Sequence, residues 1–496
     1  MQEYLSKAKR QSFSAMVLRG ISSSFFYTNS TCRCGFFSIE CGFFSKFNLV
    51  AGFSKSSSLG RRRSYGSHLS YFSHPSNSRF VQKPRPSLRG FSVTMAAAPS
   101  LDSSQKMVLV PIATGTEEME AVILIDILRR AGSEVTVASV EETLQIVASR
   151  NVKLVADSLI SECEKSKYDL VVLPGGMPGA ERLRDSQVLK KIVQQLAEEG
   201  RLYAAICAAP AVALEPWGLL KGLKATCHPS FTKKLQISEA LELRVVKDGL
   251  ATTSRGPGTA IEFALALVEQ LYNKQKVEEL SKALVLRTQS KFGPAKRDYN
   301  STKWFSASEG KVPLVLVPIA HGSEEMEAVI IIDILRRAAA DVVVGSVEET
   351  LQITASRKVQ IIADKFVKDL LNSKFDVVIL PGGMPGAQRL RDSEELSTIL
   401  KEQAEGNRAY GAICAAPAVV LEAKNLLKGK KATSYPAFAD KLSDKSASDA
   451  RVVIDGLVAT SQGPGTAMEY ALSIVEKLFG QEKAANIAEA MVFPYQ

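Results

Sequence analysis

A chain of 496 residues has room for two or three domains, each large enough to close its own core. Its 46% apolar and 23% charged residues are those of a globular protein rather than a fibrous or wholly disordered one. The net charge of +10 suggests nucleic acid only until it is located. Residues 1–100 carry +12 of it, which leaves the rest at −2, so no nucleic-acid partner is expected without a basic face of its own.

Residues 1–104 read as a disordered leader. Their first hundred positions hold 22 serines and 14 Lys/Arg against only Glu3 and Glu40, the composition of an organellar transit peptide. Plastid is the first address it suggests and mitochondrion the second, while Met95 could start a shorter cytosolic form. The apolar residues are interrupted too often for a membrane span of about 20, so no membrane partner is expected. Cys32, Cys34 and Cys41 fall in this leader. The body keeps Cys163, Cys207, Cys227 and Cys414, too few and too irregular for a disulfide framework or a structural zinc.

Beyond the leader, strand and helix patterns alternate. Val108–Pro111 is a short apolar strand, Glu118–Arg130 has apolar residues at helical spacing, and Val135–Ala138 alternates as a strand. Leu170–Leu173 and Leu202–Ile206 are continuous apolar runs, as expected of parallel strands buried on both faces. Arg244–Val246 and Leu250–Thr253 flank an Asp-Gly turn and read as a hairpin. A polar segment, 286–311, is read as a linker without regular structure. The pattern then repeats: "VLVPIATGTEEMEAVILIDILRRAG" from Val108 returns from Val315, "DLVVLPGGMPGAERLRDS" from Asp169 returns from Asp376, and "YAAICAAPAV" from Tyr203 returns from Tyr410. The constant offset of 207 makes this a tandem domain duplication, since solenoid units are only about 20–50 residues. Two α/β sandwich domains with mostly parallel, doubly wound sheets are predicted at 105–285 and 312–496.

Ligands in such sheets sit beyond the carboxyl ends of the strands, which gathers three groups of residues. Cys207 and Cys414 end a strand and open an alanine-rich helix, where amide N–H groups and the helix dipole favour thiolate. A small buried cysteine packed like alanine is the competing reading. Glu120 and Glu327 lie on the helix face turned to the sheet, where burial would keep a carboxyl protonated beside a thiolate. Glu117 and Glu118 read as first-turn capping acids. Gly175 and Gly176, with Gly382 and Gly383, allow backbone N–H groups to approach a developing oxyanion, as do the amides of Ala208 and Ala415. His228 could serve as a base near Cys207, whereas its counterpart is Tyr435, a poor base near neutral pH. Neither a phosphate-loop nor a dinucleotide fingerprint is present.

"GTEEMEAV", "VVLPGGMPGA", "AAICAAPA", "TCHPSF" and "TSRGPGT", found in order and twice over with close variants, resemble the parkinsonism-associated deglycase family (DJ-one/PfpI). The whole chain resembles its organelle-targeted tandem members from plants. The resemblance implies flavodoxin-like domains and places Cys207 and Cys414 as oxidation-prone nucleophiles. It makes Glu120 and Glu327 the buried acids that bond the sulfur, His228 the site histidine, and Arg150 and Arg357 arginines near a dimer interface. It further implies that the two copies pack on each other as the family's dimer does, and further homodimerisation is allowed. Tyr435 in place of histidine and Gln462 in place of Arg255 put activity of the second site in question. The function so implied is a glyoxalase or deglycase acting on methylglyoxal and related 2-oxoaldehydes, with no metal or cofactor and with glutathione admitted as a co-substrate. A redox sensor or redox chaperone using the same cysteine is the alternative. A cysteine protease or amidotransferase is the third, and the missing histidine in the second copy argues against it.

Overall fold

The computed structural model of the chain describes residues 105–237, 239–287, 296–304 and 311–495; the leader read from the sequence lies outside them. The first copy runs β1 (Met107–Ile112), α1 (Glu118–Ala131), β2 (Glu134–Ser139), β3 (Gln145–Val147), β4 (Lys153–Val155) and β5 (Ser158–Leu159). It continues with β6 (Leu170–Leu173), α2 (Gly179–Asp185), α3 (Gln187–Glu198), β7 (Leu202–Ile206), β8 (Val245–Asp248), β9 (Ala251–Ser254), α4 (Ala260–Leu271) and α5 (Lys274–Ala283). Its seven-stranded sheet is ordered β5-β2-β1-β6-β7-β9-β8. All neighbours are parallel except the β8–β9 hairpin, in which Asp248 faces Ala251 across the turn. The sheet is a doubly wound α/β sandwich, and its central strands β6 and β7 are buried because helices cover both faces.

After β10 (Lys296–Tyr299), the second copy repeats the order as β11 (Leu314–Ile319), α6 (Glu325–Arg337), β12 (Asp341–Ser346), β13 (Gln352–Thr354), β14 (Gln360–Ile362) and β15 (Lys365–Phe366). Next come β16 (Val377–Leu380), α7 (Gly386–Asp392), α8 (Glu394–Glu405), β17 (Ala409–Ile413), β18 (Val452–Asp455), β19 (Val458–Ser461), α9 (Ala467–Phe479) and α10 (Gln481–Ala490). Its sheet has eight strands, because β10 pairs in parallel with β18 at the edge. Part of the segment read from sequence as a featureless linker is therefore sheet. The Lys-Arg-Asp-Tyr sequence gives no apolar alternation, because an edge strand is held by its backbone and here by flanking ion pairs. Lys296 reaches Glu476 at 2.8 Å and Lys477 reaches Asp298 at 2.5 Å, while Trp304 Nε1 donates to Gly456 O at 2.8 Å.

The two copies form an intramolecular pseudo-dimer. The hairpins β3–β4 and β13–β14 join in one four-stranded antiparallel sheet, β13-β14-β4-β3, in which Ile361 pairs with Leu154. Helices α1 and α6 pack together, which explains why α1 is buried nearly all round rather than along one stripe. Even Glu118, Glu120 and Asp126 are fully buried on it. One apolar cluster runs from Leu109 and Ile123 of the first copy into Ile330 and Ile474 of the second. Among the described residues no helix is long and apolar enough to cross a membrane.

Candidate active site

Cys207 comes directly after β7 and takes φ +64°, as does Cys414 after β17. A non-glycine residue held in that region stores backbone strain, a pattern concentrated at functional sites. The segment beyond Cys207 is not the α-helix expected from the sequence. Pro210–Leu214 form a π-helical turn, closed by Glu215 N–H donating five residues back to Pro210 O, and Pro417–Glu422 form its counterpart. So short an element supplies little macrodipole, because the dipole grows from aligned peptides over a run of turns. The expectation that the helix end ionises the thiol is thereby corrected. Burial pushes Cys207 well above the ordinary thiol range, and the Glu120 and Glu117 carboxyls push it further, while the Gly176 N–H pulls it down. Cys414 is raised in the same way.

Glu120 Oε2 accepts the Gly175 N–H at 2.7 Å, and Glu327 Oε2 accepts that of Gly382 at 2.8 Å. The other carboxyl oxygen of each is buried with no nitrogen or oxygen donor. Burial raises Glu120 to about 7, against the pull of the Gly175 amide and of the Cys207 thiol hydrogen-bonded to the same carboxyl. Glu327 is likewise raised to about 7. The thiol and carboxyl stand side by side, and their protons come off as those of a pair rather than of two independent groups.

Adjacent glycines make this approach possible. A Cβ on Gly175 would stand 2.6 Å from Cys207 Cβ, 2.9 Å from Glu120 Oε2 and 3.0 Å from Ala208 N. On Gly382 it would stand 2.5 Å from Cys414 Cβ and 2.8 Å from Glu327 Oε2. Gly176 and Gly383 take φ +89° and +88° against the start of α1 and α6, where a Cβ would collide with Glu117 N and Glu324 N. Cys207, Ala208, Gly176 and His228 line one cavity of about 300 Å³ with Arg150 of the same copy and Arg337 of the other.

His228 is not placed to act as a base, contrary to the expectation from sequence. Its Nδ1 accepts the Ser230 N–H at 3.2 Å, which leaves the proton on Nε2, 3.1 Å from Ala490 O at the end of α10. Burial lowers it further from protonation. Tyr435 does the same work in the second copy, its hydroxyl donating to Ala283 O at the end of α5 at 3.1 Å. The exchange of histidine for tyrosine preserves a donor to the other copy's last helix. Gln462 donates to Ser448 O at 3.1 Å, whereas Arg255 forms an ion pair with Glu242 at 3.0 Å. Arg150 and Arg357 stand between the copies, their carbonyls accepting from Arg336 and Arg129 at 2.9 Å.

Sequence reading missed the arginines that reach across. Arg337 Nη2 lies 2.7 Å from Glu117 Oε1, and Glu117 Oε2 caps α1 by accepting the Glu120 N–H at 2.7 Å. Arg130 reaches Glu324 at 2.7 Å and Glu324 accepts the Glu327 N–H in mirror fashion. Each thiol–acid pair is therefore seated on a carboxylate held by the opposite copy. Glu118 goes beyond its expected first-turn role: it accepts from Ser149 Oγ at 2.7 Å and from Arg150 N at 2.8 Å, fixing the loop that carries Arg150. Glu117, Glu118 and Asp333 place carboxylate oxygens within 4.8 Å of one another, as do Asp126, Glu324 and Glu325. Each trio is bridged by an arginine, Arg337 to Glu117 and Asp333, Arg130 to Asp126 and Glu324. The signal was in the sequence, since "DILRR" in both copies sets an acid and an arginine four apart on a helix too apolar to face water.

The sequence pattern of the DJ-1/PfpI family matches residues 106–270 and again 314–477. Protein DJ-1 homolog B of Arabidopsis thaliana is 49% identical over 403 residues, 81% of this chain and 90% of its own length. Protein DJ-1 homolog A of the same plant is 50% identical over 390 residues, 78% of this chain and 99% of its own. Glutathione-independent glyoxalase DJR-1.2 of Caenorhabditis elegans is 34% identical over 183 residues, 36% of this chain and 96% of its own.

Proposed function

Because the chain belongs to the DJ-1/PfpI family and carries its pattern twice, we propose that it is a glyoxalase-type enzyme. It converts methylglyoxal and related 2-oxoaldehydes to 2-hydroxy acids at Cys207 and at Cys414. The observation that carries this reading is a strained, cavity-lining thiol set beside the buried Glu120 carboxyl, with backbone amides next to both. A relative 34% identical bears the name glyoxalase, which supports the same chemistry.

In this reading the Cys207 sulfur adds to the aldehyde carbon, and the proton shared with Glu120 passes to the new oxyanion, giving a hemithioacetal. Glu120, now a carboxylate, takes the hydrogen of that carbon as a proton and returns it to the neighbouring carbon through an enediol, while the hydroxyl proton moves to the neighbouring oxygen. The product of this isomerisation is a lactoyl thioester on Cys207. Water cleaves it, lactate leaves, and the shared proton is restored. The amides of Gly176 and Ala208, which stand beside the sulfur, would donate to the developing oxyanion. The thiol and carboxyl supply both nucleophile and base, so the scheme calls on no cofactor. Glutathione could enter only as the thiol of a substrate adduct. The leader is read as delivering this activity to plastids, which imaging of a full-length fluorescent fusion would test.

Lactate formation from methylglyoxal, measured with and without glutathione, is the deciding experiment. Cys207→Ser and Cys414→Ser should each remove the share of turnover carried by their own site, and the double variant should have none. Unchanged turnover in the double variant would defeat the proposal. A thiol that gains two oxygens with peroxide while no lactate ever forms would instead establish the sensor reading.

A further inference from the structure

The cavity at Cys207 adjoins a second one. Arg150, Arg337 and Ala490 line both, and the second, of about 430 Å³, adds Arg336, Lys483 and Asn486. Lys483 and Asn486 stand three residues apart on α10, the helix whose end is bonded to His228. Among the described residues neither Lys483 nor the Arg150 guanidinium has a carboxylate partner; Arg150 Nη1 bonds only the Ser149 carbonyl, at 3.1 Å.

The second site is built by the same elements with different charges. On α5, which lies over Tyr435 as α10 lies over His228, Lys276 is paired with Glu279 at 2.8 Å. Glu279 stands where α10 has Asn486. Arg129 keeps Asp157 to itself at 2.8 Å, whereas Arg336 shares Asp364 with Lys153, both at 2.9 Å. The counterpart of Lys153 is the neutral Gln360. Arg255, whose charge acts on His228, is replaced by Gln462. Each of these differences leaves the approach to Cys207 more positive than the approach to Cys414; Glu482 and Glu489 of α10, which stand where α5 has Gln275 and Lys282, run the other way but line neither cavity.

We propose that the two sites divide their substrates by charge. The Cys207 site takes oxoaldehydes that carry a carboxylate or phosphate, held at Arg150 and Lys483, and the Cys414 site takes neutral ones. This rests on the glyoxalase reading above and specifies the substrate class of each site. An anion entering a cation-lined, partly desolvated cleft is attracted more strongly than in bulk water, and the attraction weakens with added salt.

The test uses the full chain, with Cys414→Ser or Cys207→Ser leaving one site at a time. The probes are methylglyoxal and 4,5-dioxovalerate, the same dicarbonyl extended by a carboxylate. The ratio of kcat/KM for the anionic over the neutral probe should be about tenfold higher at the Cys207 site than at the Cys414 site. Lys483→Glu should abolish that preference, and Glu279→Asn should raise the ratio at the Cys414 site. Equal ratios at both sites, or equal losses on both probes in Lys483→Glu, would overturn the division. If neither probe is consumed, the glyoxalase reading fails by itself, and alkylation still decides the charge question. Inorganic phosphate should slow iodoacetamide modification of Cys207 more than of Cys414, and Lys483→Glu should remove the difference. Equal protection of the two thiols would refute the anion site.

Discussion

Replacing Arg337 by methionine tests whether one copy's arginine seats the other copy's active site. The arginine is bonded to Glu117 and Asp333 with only 13% of its side chain exposed. Methionine fills a similar volume, so the change removes charge rather than bulk. Glu117, Glu118 and Asp333 would then crowd oxygens within 4.8 Å with no cation among them. Removing one partner of a buried ion pair costs about 3–5 kcal/mol. Protonation offers relief, because burial and Asp333 already hold Glu117 well above the carboxylate range. The loss should therefore sit near about 3 kcal/mol at pH 6 and grow at pH 8, where keeping those protons is harder. Urea unfolding at the two pH values measures it. Alkylation of the thiols adds a local readout, since Glu117 caps the turn that presents Glu120: Cys207 should change reactivity and Cys414 should not. A variant within about 0.5 kcal/mol of the parent at both pH values, or one altering both thiols alike, would refute the reasoning.

Gly175→Ala should silence the Cys207 site and lower stability by about 1–3 kcal/mol, since its Cβ would meet Cys207 and Glu120; lactate formation in the Cys414→Ser background and urea unfolding check the two halves. His228→Tyr, which copies the second site, should keep turnover within about threefold in that background, whereas loss of a true general base would cost about 10²-fold or more. Burial raises Glu118, Glu120, Glu325 and Glu327 from 4.5 to about 7, so the folded chain holds protons that the unfolded chain releases. Their stabilising contribution is complete below about pH 4.5 and is lost as pH rises through about 7, which unfolding midpoints across that range will show. Turnover should rise through about pH 7 as the pair passes from two protons to the single one the mechanism uses, and Glu120→Gln should abolish that rise at the Cys207 site.

Strands and the thiol-bearing turn were legible because their signals are local. Leu170–Leu173 and Leu202–Ile206 are apolar runs with nothing else to become, and Gly175 and Gly176 announce a close approach wherever they succeed such a run. The roles of His228 and Arg337 were not legible, because each is defined by an atom far away in sequence. His228 bonds Ala490 O, 262 positions on, and Arg337 pairs with Glu117, 220 positions back. A histidine beside a cysteine suggests a base until its lone pair is found engaged by Ser230 N–H. Thiol ionisation was misread for a related reason. The alanine-rich sequence predicts a helix and hence a dipole, but the backbone closes a wider turn after Pro210, and burial, with the neighbouring carboxyls adding to it, decides the proton instead.

The pairing of Ile361 with Leu154 across the four-stranded sheet joins two stretches of a single polypeptide. Dilution cannot separate such halves, whereas two free subunits would part as their concentration fell. Nor does a substitution appear on both sides at once, as it must when identical chains meet about a twofold axis. One half can drift while its neighbour holds the old chemistry, and a gene of this form can explore a second specificity without surrendering the first.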